Sequence, residues 1–207
     1  RAEQAAGRID KAIEAADAAV RAAPSFAPAA IAAARLYLAD GAKNKAARVL
    51  REAWRLAPQP EIGAAFAEIE PNESPSERRR RFADLIAADE DHAESRILAA
   101  ELAISDQDWS AARRAIGDLA AEAPTHRSLA VMAAVEKGEG AEDSVVRGYL
   151  ARALTAPRGA HWACDSCGAS PGSWSATCPA CGAFDTLAWR EESEAVEAAG
   201  ASMPPLM

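Results

Sequence analysis

The four cysteines of the chain stand in two C-x-x-C pairs: Cys164-Asp165-Ser166-Cys167-Gly168, then Cys178-Pro179-Ala180-Cys181-Gly182. Two cysteines three apart can aim both sulfurs at one ion from a tight turn. A glycine directly after the second cysteine lets the backbone take positive φ, so that main-chain N–H groups can turn back toward the thiolates. Two such knuckles supply four thiolates, a set suited to tetrahedral zinc and also accepted by a single iron. Trp162, Trp174, Phe184 and Trp189 surround the pairs, so three of the five tryptophans fall in this short stretch. A unit so small cannot bury enough apolar surface to fold alone, and a metal supplies what is missing. The spacing therefore predicts one metal ion, zinc before iron, on Cys164, Cys167, Cys178 and Cys181.

Two disulfides or a redox dithiol are the alternatives. Disulfides fit poorly, because nothing else in the chain suggests a small secreted scaffold. A redox C-x-x-C belongs at a helix start in a βαβ setting, and none is visible. Cys178-Pro179 also matches the short Cys-Pro pattern of haem-responsive proteins, but a cysteine held by zinc is unavailable to haem.

No catalytic constellation is visible. The three histidines are His92, His126 and His161. His161 lies three before Cys164 and is a spare ligand by position, but four thiolates already complete a tetrahedron; structural or surface roles are expected for all three. There is no G-x-S-x-G, P-loop or dinucleotide fingerprint. Asp106 and Asp108 read as helix capping. A closed four-thiolate site leaves no position for water, which disfavours metal hydrolysis. The chain is read as not an enzyme.

The cysteines must be carried by something larger. Of 207 residues, 50% are hydrophobic and only 5% aromatic. Alanine supplies about a quarter of the sequence. Alanine is the best helix former and lets helices approach closely, which argues for stacked helices. The net charge of −8 speaks against nucleic acid as a partner. No stretch is long and apolar enough to span a membrane. The chain opens at Arg1 and reads as a fragment of something longer. Four cysteines in metal spacing suit a reducing compartment, hence the cytoplasm.

Helical spacing runs from about Ala2 to Ala23, with Ile9, Ile13, Ala16 and Val20 on one face. Further helices are expected near Pro28–Leu38, Asn44–Leu56, Glu61–Ile69, Ala93–Ile104, Trp109–Glu122, Arg127–Lys137 and Asp143–Leu154. Pro71 to Glu77 reads as a loop, with Ser76-Glu77 capping the next helix. That helix opens on Arg78, Arg79, Arg80 and Arg81. The run is expected to be solvated; an anionic partner or membrane surface is the alternative.

Pro24, Pro58, Pro124 and Pro157 are spaced by 34, 66 and 33 residues. A period near 34 built of helix–turn–helix units is the tetratricopeptide signature. The segment Ala27 to Pro60 resembles that family at Tyr37, Ala46, Leu50, Ala53 and Pro58, with Ala30 and Ala34 where tryptophan and glycine are usual. Ala112 and Ile116 match in the unit ending at Pro124. About four units are expected, the first incomplete and the second irregular. The fold class is therefore all-α: a tetratricopeptide-like α-solenoid of about four helix pairs, with a small C-terminal rubredoxin-like or zinc-ribbon module. The expected domains are 1–158 for the repeats, 159–190 for the four-cysteine module and 191–207 for an acidic tail with four glutamates.

Stacked helix pairs make a concave surface lined by the first helix of each pair. By register the groove takes in Ile31, Arg35 and Leu38 in one unit and Glu94, Ile97, Glu101 and Ile104 in another. Packing is the competing role for several of these. A groove apolar and mixed in charge suits a protein or peptide client.

The ending His161-Trp162-Ala163-Cys164-x-x-Cys167-Gly168, then Trp174 and Cys178-Pro179-x-Cys181-Gly182-x-Phe184-Asp185-Thr186-Leu187-x-Trp189-Arg190, resembles the C-terminus of HemY-like tetratricopeptide proteins of alphaproteobacteria. The order of parts is also similar to LapB-type regulators of lipopolysaccharide assembly, which end in a rubredoxin-like module. The resemblance implies a membrane anchor upstream of Arg1, a repeat domain on the cytoplasmic side of the bacterial inner membrane, and a link to haem synthesis. Two functions compete: a non-enzymatic adaptor whose repeats hold a client, and a haem- or porphyrin-handling protein using a histidine or Cys178.

Overall fold

The computed structural model describes residues 2–190, with side chains from residue 7 onward; the acidic tail lies outside the described residues. The described residues form helices up to Ala153 and a two-stranded antiparallel sheet after them. The helices are α1 (Ala2–Ala22), α2 (Ala27–Ala39), α3 (Lys43–Leu56), α4 (Pro60–Ala67), α5 (Pro75–Ile86), α6 (Ala93–Ser105), α7 (Trp109–Ile116), α8 (Leu119–Glu122), α9 (His126–Gly138) and α10 (Asp143–Ala153). The strands are β1 (His161–Cys164) and β2 (Leu187–Arg190).

The chain is a tetratricopeptide-like stack: α1, then the pairs α2/α3, α4/α5, α6/α7 and α9/α10. Tight turns fold α3, α7 and α10 back on α2, α6 and α9, while a longer loop, 68–74, links α4 to α5. Asp40-Gly41-Ala42 joins α2 to α3, with Gly41 at φ 78°. Small residues set how closely the helices approach. On α2 the buried face is Ala27, Ala30, Ala33, Ala34 and Tyr37, and α3 answers with Ala46, Leu50, Ala53 and Trp54. The Tyr37 hydroxyl donates to Asp17 Oδ1 of α1 at 2.5 Å.

Two cores lie along the stack. One gathers α1 to α5, with Trp54, Phe66, Phe82 and Leu85. The other gathers α6 to α10, with Ile97, Ile116, Leu129 and Val135. Helix α6 serves both, since its Leu102 and Leu98 reach into the first core. Fully buried Trp54 also reaches α6, where its Nε1–H donates to Ser95 Oγ at 2.9 Å.

Three local expectations are corrected. Helix α5 starts at Pro75, inside the stretch expected to be loop, and its cap is Ser74 rather than Ser76-Glu77: the Ser74 side chain accepts from the Glu77 amide while Glu77 accepts from the Ser74 amide. The expected Trp109–Glu122 helix is broken at Gly117, whose φ of 51° and ψ of −125° no L side chain adopts comfortably. The arginine run is largely ion-paired rather than simply solvated. Arg78 and Arg81 both pair with Glu73, whose side chain is 8% exposed, and Arg79 bonds Asp106 and Asp108. Arg81 also donates to the Phe66 carbonyl at 2.8 Å and stacks over the edge-on pair Phe66 and Phe82. Only Arg80 of the four makes no ion pair among the described residues. Asp108 caps α7, as read from sequence, in addition to meeting Arg79.

Candidate metal centre

Strands β1 and β2 pair antiparallel, His161 opposite Arg190 and Cys164 opposite Leu187. This hairpin holds the first knuckle at its end, and the second knuckle is closed by a bridge between Thr177 and Phe184. The two knuckles repeat one backbone pattern. Gly168 N–H donates to the Cys164 carbonyl at 2.8 Å, and Gly182 N–H to the Cys178 carbonyl at 2.9 Å. Cys164 N–H donates to Ala169 O, and Cys178 N–H to Ala183 O. Both turns need the glycine expected from sequence, at φ 71° and 75°.

The knuckles bring the four sulfurs together. All four Sγ atoms lie within 4.8 Å of one another, and the cysteines are free of disulfides. Cys164 Sγ is 3.9 Å from Cys181 Sγ, and Cys167 Sγ is 3.8 Å from Cys178 Sγ. A metal about 2.3 Å from each of four tetrahedral sulfurs requires sulfur–sulfur edges of roughly 3.8 Å. The donor set therefore fits a four-thiolate ion. Cys164 and Cys178 are buried, while Cys167 and Cys181 face outward.

Cys164 and Cys167 are shifted in opposite directions. The Thr186 hydroxyl, 3.2 Å from Cys164 Sγ, together with the Cys167 and Ser166 amides, pulls Cys164 down to about 6. The Ala169 amide pulls Cys167 down, but Cys181, burial, Cys164 and Cys178 together push it up to about 12. The opposite shifts follow from sulfurs packed within 4.8 Å of one another. His161 does not join them; its Nδ1 faces the Gly159 carbonyl at 2.8 Å. His92 caps α6 through Nδ1, and His126 Nδ1 lies 3.2 Å from the Ala153 carbonyl.

The ribbon is docked onto the helices. Trp162, Cys164, Cys178 and Leu187 form its core, against which Phe26, Trp174 and Trp189 pack. Phe26 precedes α2. Its ring meets Trp162 and Trp174 edge-on, with centroids 6.4 and 5.2 Å apart. Trp162 Nε1–H donates to Glu61 Oε1 on α4 at 2.8 Å. Phe184, expected among the aromatic cover, is instead 75% exposed.

Beside the ribbon lies a cavity of about 1030 Å³. Its walls are Pro58 and Pro60 at the start of α4, the starts of α6 and α9, the end of α10, and Ala160, Trp189 and Arg190 by the ribbon. Of the seven groove residues read from sequence, Glu94 and Ile97 line it. Glu101 is tied to it through Arg127, which bonds Glu94 at 2.6 Å and Glu101 at 2.7 Å. Burial pushes Glu94 up against the pull of Arg127. Burial pulls Arg127 down, but the two glutamates outweigh it and hold the guanidinium charged. The others lie elsewhere. Ile31 and Leu38 pack against the first core, Ile104 against the second, and Arg35 is doubly bonded to Glu68. Sequence reasoning missed Arg127, Glu61 and Phe26. No periodicity marks them, and only the lone aromatic before an alanine-rich helix hinted at Phe26.

Among the described residues, no helix is long and apolar enough to cross a membrane. The chain matches no protein-family profile. It is similar to the probable magnetosome protein Mms48 of Magnetospirillum gryphiswaldense, with 28% identity over 182 residues, 87% of this chain and 40% of that protein. The chain thus spans about two-fifths of the length of this curated relative. Among solved structures it is similar to the crystal structure of MamA, with 18% identity, 73% of this chain and 90% of that chain covered, and a TM-score of 0.43.

Proposed function

We propose that the chain is a non-enzymatic scaffold that holds a protein or peptide client on its repeats, with a structural zinc ion on Cys164, Cys167, Cys178 and Cys181. The observation that carries this reading is the cavity of about 1030 Å³ bounded jointly by helix starts and ribbon. Its lining mixes apolar walls with fixed polar groups such as Glu94 and Arg127, the composition of a recognition site. The repeats would comprise 1–158 and the metal module 159–190. Four thiolates saturate a tetrahedral ion, so its part is to hold the fold, and iron would do the same with a redox couple added. Nucleic acid is no partner on this reading, because the net charge is −8. The name of the relative ties that protein to the magnetosome. Together with the resemblance to inner-membrane proteins, it supports a scaffold serving a membrane-associated assembly on the cytoplasmic side.

No observation favours the haem- or porphyrin-handling reading. Cys178 is buried within the thiolate cluster, where its sulfur lies 3.8 Å from that of Cys167. The test is affinity capture with the intact protein and with Ile97→Arg, which places a charge on the cavity wall. Partners retained by the first and lost by the second support the reading. Equal capture by both counts against it, and a Soret shift on haem titration with metal still bound would move the assignment to haem.

A further inference from the structure

We infer that the ribbon is a metal-dependent clasp: it leaves the C-terminal core, crosses the cavity, and fastens on the N-terminal core through Trp162 against Phe26 and Glu61, so that metal occupancy decides whether the cavity has its fourth wall. This rests on the proposed metal centre and goes beyond it.

The path of the chain carries the inference. Helix α10 ends at Ala153, which is buried with Leu129 and Val135 in the second core. Eight residues later, β1 begins at His161. Yet the ribbon packs on Phe26 at the start of α2 and bonds Glu61 at the start of α4, both in the first half of the stack. It therefore joins the two ends of the solenoid along the edge where the first helices begin. The cavity lies under that strap, with Trp189 and Arg190 on the ribbon side and Pro58 and Pro60 on the other.

The ribbon cannot hold its shape by apolar burial alone. Between His161 and Arg190 only Trp162, Ala163, Cys164, Cys178 and Leu187 are buried, and two of these are proposed ligands. Its sheet has two strands of four residues each. Such a unit folds when the metal draws the knuckles together and unfolds when it leaves. Without the hairpin, Trp162 and Trp189 lose their fixed placement, and the cavity opens along one side.

The seam is also poised rather than tightly sealed. Three buried polar atoms near it have no hydrogen-bond partner among the described residues: Gln59 Oε1, Glu61 Oε2 and Arg190 Nε. Each such atom gives up water on docking and gains no hydrogen bond in return. The closed state thus gives back part of what the aromatic contacts gain, which suits a wall that can be released.

Hydrogen exchange on the full chain tests this, with metal bound and after acid–chelator stripping and return to neutral pH. The expected result is exchange on the order of tenfold faster, after stripping, at the amides of 161–190 and also at 57–62 and 26–30. The amides of α3 and α7 should stay unchanged. Faster exchange confined to 161–190 would overturn the clasp while leaving the metal centre standing. No change anywhere on stripping also overturns it, and a chain isolated without metal overturns both readings. A second variant separates docking from ribbon folding. Phe26→Ala should keep the metal and the protection of the knuckles, yet speed exchange at 57–62; full protection there would sink the inference.

Discussion

Trp162 Nε1–H donates to Glu61 Oε1 at 2.8 Å, joining the first strand of the ribbon to the start of α4 across 101 residues of chain. One glutamate oxygen is thereby satisfied, while the other, Oε2, is buried without a partner. Burial pushes Glu61 above the usual carboxylate range, against the opposing pull of the Trp162 bond. The sign follows. A raised folded value means the native state holds the proton more tightly than the unfolded chain does. The resulting stability is complete below the unfolded value and is lost as pH rises through the folded one. Glu61→Gln keeps the acceptor for Trp162 and removes the buried charge. It should melt roughly 1–2 °C above the parent at pH 7 and level with it near pH 4. A lower melting temperature at pH 7 would show that the seam draws on the negative charge.

Cys167→Ser removes one of the two outward-facing cysteines of the proposed metal site. The expected outcome is loss of metal and of ordered structure from about Trp162 to Trp189, with most helicity intact, because the helical cores lie elsewhere. Circular dichroism with metal analysis checks both halves of the statement. Unchanged metal content would show that three sulfurs suffice.

The sequence disclosed those features whose physics is local. The knuckles were legible because two cysteines and a glycine at fixed spacing suit a single kind of turn, and the sulfur distances of 3.8 and 3.9 Å agree. The repeats were legible because proline ends helices and alanine permits close stacking. Helix ends were misread where a longer-range partner decides them. Ser74 rather than Ser76 caps α5, since Pro75 takes the first helical position and Glu77 closes the box. Gly117 breaks what periodicity reads as one helix, because the turn it makes lies outside any hydrophobic pattern. The arginine run was opaque for another reason. Its partners Glu73, Asp106 and Asp108 come from other parts of the stack, and spacing within α5 carries no trace of them. Of the residues that line the cavity, register named Glu94 and Ile97 but not Arg127, whose relation to them is set by how α9 lies against α6.

Ser95 is fully buried, and its hydroxyl accepts from the indole of Trp54, itself fully buried. Ser95→Ala leaves the indole N–H without a partner in a dry interior. The expected loss is about 1–3 kcal/mol. In a chain of this size that lowers the melting temperature by roughly 2–4 °C for each kcal/mol. Trp54→Phe made on top of Ser95→Ala removes the orphaned donor as well, so the double variant should lose less than the sum of the two singles. Strict additivity would mean that the hydrogen bond contributes nothing between α3 and α6.

Glu73 anchors the arginine run, and its own value is shifted the other way from that of Glu61. Its hydrogen bond to Arg81, with a second to Arg78, holds the carboxylate below its usual range despite burial. A depressed folded value gives stability that is complete above the unfolded carboxylate value and is lost as pH falls through the folded one. Glu73→Gln should therefore cost about 1–2 kcal/mol near neutrality, less than a fully buried pair would lose, because Arg78 and Arg81 keep some contact with water. The difference from the parent should shrink below pH 4 and vanish once Glu73 itself is protonated. Arg80→Ala, two residues from Arg78 on the same helix, removes the same kind of charge as its neighbours but no ion pair, and should change stability by no more than about 0.5 kcal/mol. Denaturant titrations of both variants at pH 7 and pH 3.5 decide the matter. Because the two changes shift the net charge in opposite directions, equal losses at the two sites would mean that the Glu73 ion pairs are not what stabilises the run, whereas a loss at Glu73 alone assigns the effect to its bonds with Arg81 and Arg78.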